Sequence, residues 1–192
     1  MKQFEGEIIG PADESGEFRG RRVEFGQMVE KTAIIKATVE AGFVRARILA
    51  LSSPAETPAM ANYRLDSSCL LVTALAYGRG EPSPGPATEL PDGGLAIAPF
   101  ARRNYYREAV KRLQRLARGL RERYGRENPE YALKRHYRIF CNSSVPEKPL
   151  AVACGLGVMG RNGLIVTPEA GSLVILAALT LPFPLEGDGP LT

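Results

Sequence analysis

The sequence predicts an α/β (α+β) fold: a single domain with one mixed sheet flanked by helices. Three observations point there. A 22-residue stretch, Arg103–Tyr124, repeats its apolar residues at helical spacing. Two apolar stretches, Cys69–Tyr77 and Gly171–Leu181, read as strands buried in a sheet. Helical and strand patterns alternate along all 192 residues without a clean βαβαβ rhythm, and a chain of that length forms one sizeable core rather than two.

In chain order, residues 1–26 read as an N-terminal extension or hairpin, with strands at Phe4–Ile9 and Phe18–Phe25 between scattered glycines. The domain proper then covers 27–192. From Gln27 to Ala41, the residues Met28, Ile34, Ile35 and Val39 suit a helix that Gly42 would close. Phe43–Leu51 alternates Val44, Ala46 and Ile48 with Arg45 and Arg47, a strand pattern. Ser52–Ser68 is a loop around Pro54 and Pro58, and Cys69–Tyr77 follows as a strand covered on both faces. Gly80–Gly94 holds eight Gly or Pro in fifteen residues and reads as a long loop or a lid. Gly94–Phe100 is expected to be a short strand. In Arg103–Tyr124 the apolar face runs through Tyr106, Val110, Leu113, Leu116, Ala117 and Leu120, opposite a face of arginines. His136–Cys141 reads as a strand, Glu147–Ala153 as a short helix, and Leu164–Val166 as a strand. Gly171–Leu181 is the strand expected at the sheet centre.

Charge is concentrated. Residues 101–138 carry 13 Lys/Arg against 4 Asp/Glu, a balance of +9, while the remainder carries 12 against 17, a balance of −5. A basic helix either serves phosphates or is simply a solvated face. The three cysteines (Cys69, Cys141, Cys154) lie at least thirteen positions apart, which excludes a zinc or iron–sulfur site held by these residues alone; metal ligands are expected to be none. Each thiol sits among apolar residues and reads as buried. His136 is the single histidine, and its arginine-rich surroundings suit a surface or cap residue better than a base. Leu173–Leu181 is far shorter than the ~20 residues of a membrane span, and the N-terminus has no apolar signal region, so a cytoplasmic location without membrane contact is expected.

Gly155-Leu156-Gly157-Val158-Met159-Gly160 fits G-x-G-x-x-G letter for letter. The context is reversed, however: a helix precedes and a strand follows, and no acidic residue stands about 20 positions on, so a dinucleotide site is not expected. What remains is a glycine turn followed by Arg161-Asn162, either a close approach to a ligand or a plain helix-to-strand turn. Asn142-Ser143-Ser144 follows a strand, where ligand contacts collect. Ser144 also stands three before Glu147, as in a capping box, and spacing alone favours the cap. Tyr105 and Tyr106 open the basic helix and would line a planar ligand's pocket or divide between core and surface.

These pieces, in this order, resemble epoxyqueuosine reductases. Arg138-Ile139-Phe140-Cys141-Asn142-Ser143-Ser144-Val145-Pro146-Glu147-Lys148-Pro149-Leu150-Ala151 is similar to that family's R-x-F-x-D-S-x-P-x-x-E-(R/K)-x-x-A, one residue shorter. Cys154–Asn162 resembles A-G-L-G-x-x-G-K-N, Gly171-Ser172-Leu173 resembles the next strand, and Arg103–Tyr106 resembles G-x-D-Y-H. The resemblance is good over about 95–184, weaker over 27–94 and absent from the first 25 residues. It implies an N-terminal cobalamin-binding domain of the nitroreductase and cobalamin-trafficking type, which a ferredoxin-like domain with 4Fe–4S clusters supplies with electrons. In the family this unit reduces epoxyqueuosine in tRNA to queuosine, with an aspartate as proton donor.

By that resemblance, Tyr105, Tyr106, Asn142, Ser143, Ser144, Gly155, Gly157, Gly160, Arg161, Asn162 and Ile165 would contact cobalamin. Arg112, Arg115 and Arg118 would face tRNA. Three departures stand out. Asn142 occupies the aspartate's position and is no acid at neutral pH. Tyr106 replaces a histidine. The sequence stops at Thr192, about where the family enters its cluster domain, so the clusters are expected outside these residues and the fragment is expected to be inactive by itself. Other readings are a non-catalytic corrinoid- or RNA-binding module, a corrinoid reductase acting on a substrate other than tRNA, and, by fold analogy alone, a flavin-binding nitroreductase-like protein.

Overall fold

The computed structural model describes residues 29–51, 69–78, 99–101 and 103–191. The expected N-terminal hairpin, the loop around Pro54 and Pro58 and the Gly80–Gly94 segment lie outside the described residues.

Helix α1 (Lys31–Glu40) buries Ile34 and Thr38, while Val39 is exposed. Its end is a Schellman closure: Gly42 at φ 92° donates to Val39 O (2.8 Å) and Phe43 donates to Thr38 O (3.3 Å), with the Phe43 ring buried. Strand β1 (Arg45–Ala50) follows directly, then β2 (Cys69–Ala76), in which Cys69–Leu75 are buried throughout. Pro99–Ala101 forms one 3₁₀ turn, so the strand expected to reach Phe100 does not extend over those residues.

Helix α2 (Tyr105–Tyr124) starts at Asn104, whose Oδ1 accepts from Arg107 N (2.9 Å). Its buried face runs Tyr105, Ala109, Leu113, Leu116, Ala117, Leu120 and Tyr124. Tyr106, expected on that face, is 47% exposed. The reason is geometric: stepping back by four from Leu113 reaches Ala109 and Tyr105, so Tyr106 turns outward and Val110 is only half-buried.

The expected His136–Cys141 strand is largely replaced. Lys134–His136 is a 3₁₀ turn and only Ile139–Phe140 pairs, as β3. The Thr180 hydroxyl intervenes: it donates to His136 O (2.6 Å) and accepts from Arg138 N (2.6 Å), satisfying backbone groups that a longer ladder would use. Helix α3 (Glu147–Ala153) precedes a two-stranded hairpin of β4 (Val158–Met159) and β5 (Ile165–Val166), and β6 (Val174–Leu181) completes the sheet.

The four-stranded sheet has the order β1-β2-β6-β3, with β6 internal as expected. Every pairing among the described strands is antiparallel, which corrects the expected mixed sheet within the α/β class. Strand β2 is buried on both faces, as its continuous apolar run predicts. One face (Ile48, Cys69, Leu71, Ile175, Ala177, Leu179, Leu181) packs under α1 and α2. The other (Leu70, Val72, Ala74, Ala178) packs on α3, Leu156 and Ile165. The carboxyl ends of β2 and β3 and the amino end of β6 therefore meet at one end of the sheet, beside the start of α2.

Candidate functional site

A cleft of about 420 Å³ opens at that end. Tyr77 closes it from β2, Tyr105 and Tyr106 from α2, and Phe100 from the preceding turn. Ser172, Val174, Ile175 and Leu176 form the β6 wall, and Leu164 and Ile165 the hairpin wall. Asn142, Glu147 and Lys148 supply the polar side.

Tyr105 is 2% exposed, and its hydroxyl is buried with no hydrogen-bond partner among the described residues. Its ring stacks at a tilt on Tyr77 (5.4 Å between centroids), and the Arg103 guanidinium lies 4.7 Å from its centre. Burial, then the neighbouring Tyr106 and Tyr105 phenols, push the Tyr77 hydroxyl above its ordinary value. A buried phenol without a partner is costly, and it marks a position where a ligand acceptor would be welcome.

Asn142 adopts φ 51°, the left-handed region in which Asn is among the most tolerated side chains. The turn it makes directs the next residue at α3: Ser143 N and Oγ both donate to Glu147 Oε1 (3.0 and 3.3 Å), and Ser143 Oγ accepts from Val145 N (3.2 Å). The N-cap of α3 is Pro146, which makes no side-chain cap bond, so in place of the expected capping box Glu147 accepts from Ser143. Lys148 Nζ donates to Gly163 O (2.8 Å), tying α3 to the β4–β5 turn. Cys141 Sγ lies against Leu176 O (3.5 Å), and burial followed by the Glu147 carboxylate pushes its thiol up to about 11.

Of the residues expected at a cofactor, Tyr105, Tyr106, Asn142 and Ile165 meet in the cleft. Ser143 and Ser144 adjoin it. The glycines are filled by the chain itself: a Cβ on Gly157 would stand 2.7 Å from Ile165 Cγ2, and one on Gly155 2.3 Å from Gly189 O. Beside Gly160, Asn162 Oδ1 accepts from Leu164 N (3.1 Å), closing the hairpin turn. Arg161 is exposed on that turn. Tyr77, Phe100, Glu147, Lys148, Leu164, Ser172 and the β6 wall were not singled out for the site. No local motif marks them, since only the fold brings five separate segments together; for Glu147 the capping signal carried the position but not the role.

On α2, Arg112 is committed internally. Its Nε donates to Glu108 Oε1 (2.8 Å) and its Nη1 to Ala41 O (3.2 Å) and Gly42 O (2.8 Å), capping the end of α1. Hydrogen bonding to Arg112 holds the Glu108 carboxyl below its ordinary value. Arg115 and Arg118 are exposed, in line with Arg107 and Lys111. Among the described residues no cluster of three His, Cys, Asp or Glu side chains comes together, and no helix is long and apolar enough to cross a membrane.

No family model matches the chain. It is 35% identical over 90 residues to an epoxyqueuosine reductase of Salmonella typhimurium, covering 46% of this chain and 21% of that protein. The epoxyqueuosine reductase of Cyclobacterium marinum is 34% identical over 98 residues, covering 50% and 29%. The chain thus spans only about a fifth to a third of these relatives. Among solved structures, the epoxyqueuosine reductase of Streptococcus thermophilus superposes with TM-score 0.58 at 19% identity, covering 86% of this chain and 49% of that one. An epoxyqueuosine reductase solved with a modified tRNA stem loop gives 0.52 at 16% identity, covering 84% and 48%. A reductive dehalogenase whose structure is described in terms of B12-dependent dehalogenation gives 0.54 at 19% identity, covering 98% and 23%. The chain is therefore similar in sequence to the epoxyqueuosine reductases over about half of its own length, and it shares its fold with them and with the reductive dehalogenases.

Proposed function

We propose that the chain is the corrinoid-binding part of an epoxyqueuosine-reductase-like oxidoreductase. The observation that carries this is the cleft itself: an aromatic-walled opening at the sheet end that includes Tyr105, whose buried hydroxyl has no partner among the described residues. A corrin is flat and carries amide carbonyls at its edge, so aromatic walls and a spare buried donor suit it. At about 420 Å³ the described walls would grip one part of the cofactor rather than enclose it. Tyr105, Tyr106 and Ile165 would hold the ring, with Asn142 and Ser143 near its polar side. When bound, a corrinoid supplies a low-valent cobalt able to reduce carbon–oxygen or carbon–halogen bonds. Electrons would reach it from iron–sulfur clusters carried outside these residues.

Addition of hydroxocobalamin with the visible spectrum recorded tests the reading. A base-off shift with micromolar affinity, weakened about tenfold by Tyr105→Phe at unchanged thermal stability, is the expected result. No spectral change at high cofactor concentration would refute it.

A second reading, RNA contact along α2, is favoured by the exposed row Arg107, Lys111, Arg115 and Arg118 leading to the cleft. Such contact with a tRNA would give salt-dependent binding. The row lies on the helix whose first residues form the cleft wall, so both readings are compatible.

A further inference from the structure

We propose that Glu147 is the proton-carrying group of the cleft, exchanging a proton through its Oε2 when a ligand covers it. The inference rests on the corrinoid reading and extends it. Among the described residues, Glu147 is the one carboxylate lining the cleft. Asn142, beside it, offers an amide that neither gains nor loses a proton at neutral pH. Two donors from Ser143 fix Oε1, so Oε2 is the oxygen left for a ligand or water, and the rotamer is set before anything binds. The left-handed backbone at Asn142 produces this arrangement by turning the Ser143 N–H toward α3.

The surrounding groups leave the role to Glu147. From α2 the cleft receives Tyr105 and Tyr106, from the end of β2 Tyr77, and from α3 Lys148, whose amine is engaged by Gly163 O; Cys141, after β3, feels the Glu147 carboxylate but does not line the cleft. Phenols, thiols and amines ordinarily titrate above pH 8. His136 is held at Glu130, with Nε2 3.4 Å from Oε2, and does not line the cleft. A bulky ligand laid over the Glu147 carboxyl removes water from it and favours the neutral acid. The proton taken up comes from water, no electron moves, and the acid is then positioned to return that proton to a ligand oxygen that gains negative charge.

Linkage makes this measurable. Because the ligand favours the protonated carboxyl, affinity is highest at low pH and falls as pH rises through the bound-state titration. Cyanocobalamin is the probe, since its axial ligand does not titrate between pH 5 and 8. Spectral titrations are run on the native chain and on Glu147→Gln, which keeps an oxygen to accept from Ser143. The native chain is expected to bind about tenfold more tightly at pH 5 than at pH 8, and Glu147→Gln to bind equally at both, near the native low-pH affinity. A pH slope that persists in Glu147→Gln, or a flat native profile with clear binding, would overturn the assignment while leaving the corrinoid reading intact. Absence of any spectral change in both proteins would overturn the corrinoid reading and this assignment with it.

Discussion

Gly42 and Arg112 form a single structural device. The glycine takes the φ of 92° that closes α1, and a Cβ there would stand 1.9 Å from Arg112 Nη1. Gly42→Ala therefore meets both a left-handed backbone and the guanidinium that caps α1, and is expected to lower unfolding free energy by about 2 kcal/mol in urea titrations. Arg112→Ala removes only the cap and should cost about 1 kcal/mol, because the side chain is one-quarter exposed. The same geometry divides the basic helix. If α2 contacts RNA, Arg115→Gln with Arg118→Gln should weaken binding at every RNA sequence and reduce the salt slope by roughly 1.5. Arg112→Ala should leave both unchanged; an equal loss of RNA affinity in Arg112→Ala would contradict this division. The sequence does not distinguish the three arginines, since all lie on a polar helix face. What separates Arg112 is a bond to carbonyls 70 and 71 positions away, which no local pattern encodes.

The outer edge of β1 is an element-scale problem that the tail after β6 solves. An open edge strand invites pairing with other chains. Here Asp188 N donates to Ile48 O (2.7 Å), Asp188 Oδ2 accepts from Ile48 N (2.7 Å), and Lys31 Nζ reaches Oδ1 at 2.7 Å. One aspartate thus imitates a strand residue and holds two cations at the same edge, Arg47 being the second at 3.5 Å. Asp188→Ala is expected to cost about 2 kcal/mol and to speed amide exchange at Ile48 selectively, by NMR. Protection at Ile48 equal to native would show that the tail does not hold the edge. None of this was legible in the sequence, because Pro182–Leu191 carries neither helix nor strand period. The reverse holds for α1, α2, α3 and the apolar strands, whose spacing and end residues place them within a few positions. Strand β3 was overestimated because a threonine on β6 competes for its backbone groups.

At the scale of the whole molecule, two apolar layers on either face of one sheet hold the cleft walls in place, and the same burial governs the thiols. Tyr105, Tyr106, Asn142 and Ile165, which only the family resemblance assigns to a cofactor, line the cleft, whereas Tyr77 and Ser172 enter only through the β2–β6 register. Cys69 lies in the layer under α1 and α2, and Cys154 in the layer under α3. Burial pushes the Cys69 thiol up to about 12 and the Cys154 thiol up to about 11. An unfolded chain releases these protons near pH 8.5. The folded state therefore keeps its full stability below that pH and loses it as pH rises toward 11 and 12, at up to about 1.4 kcal/mol per unit for each thiol. Between pH 9 and pH 10 the two should together remove about 2 kcal/mol, read as a falling urea midpoint. The paired substitutions Cys69→Ala and Cys154→Ala lower stability at every pH through lost packing, but they should flatten the decline over that interval. If the substituted protein declines as steeply as the native one, the alkaline loss belongs to other groups. If it flattens, the scattered cysteines act as core residues whose protons are part of the fold's stability.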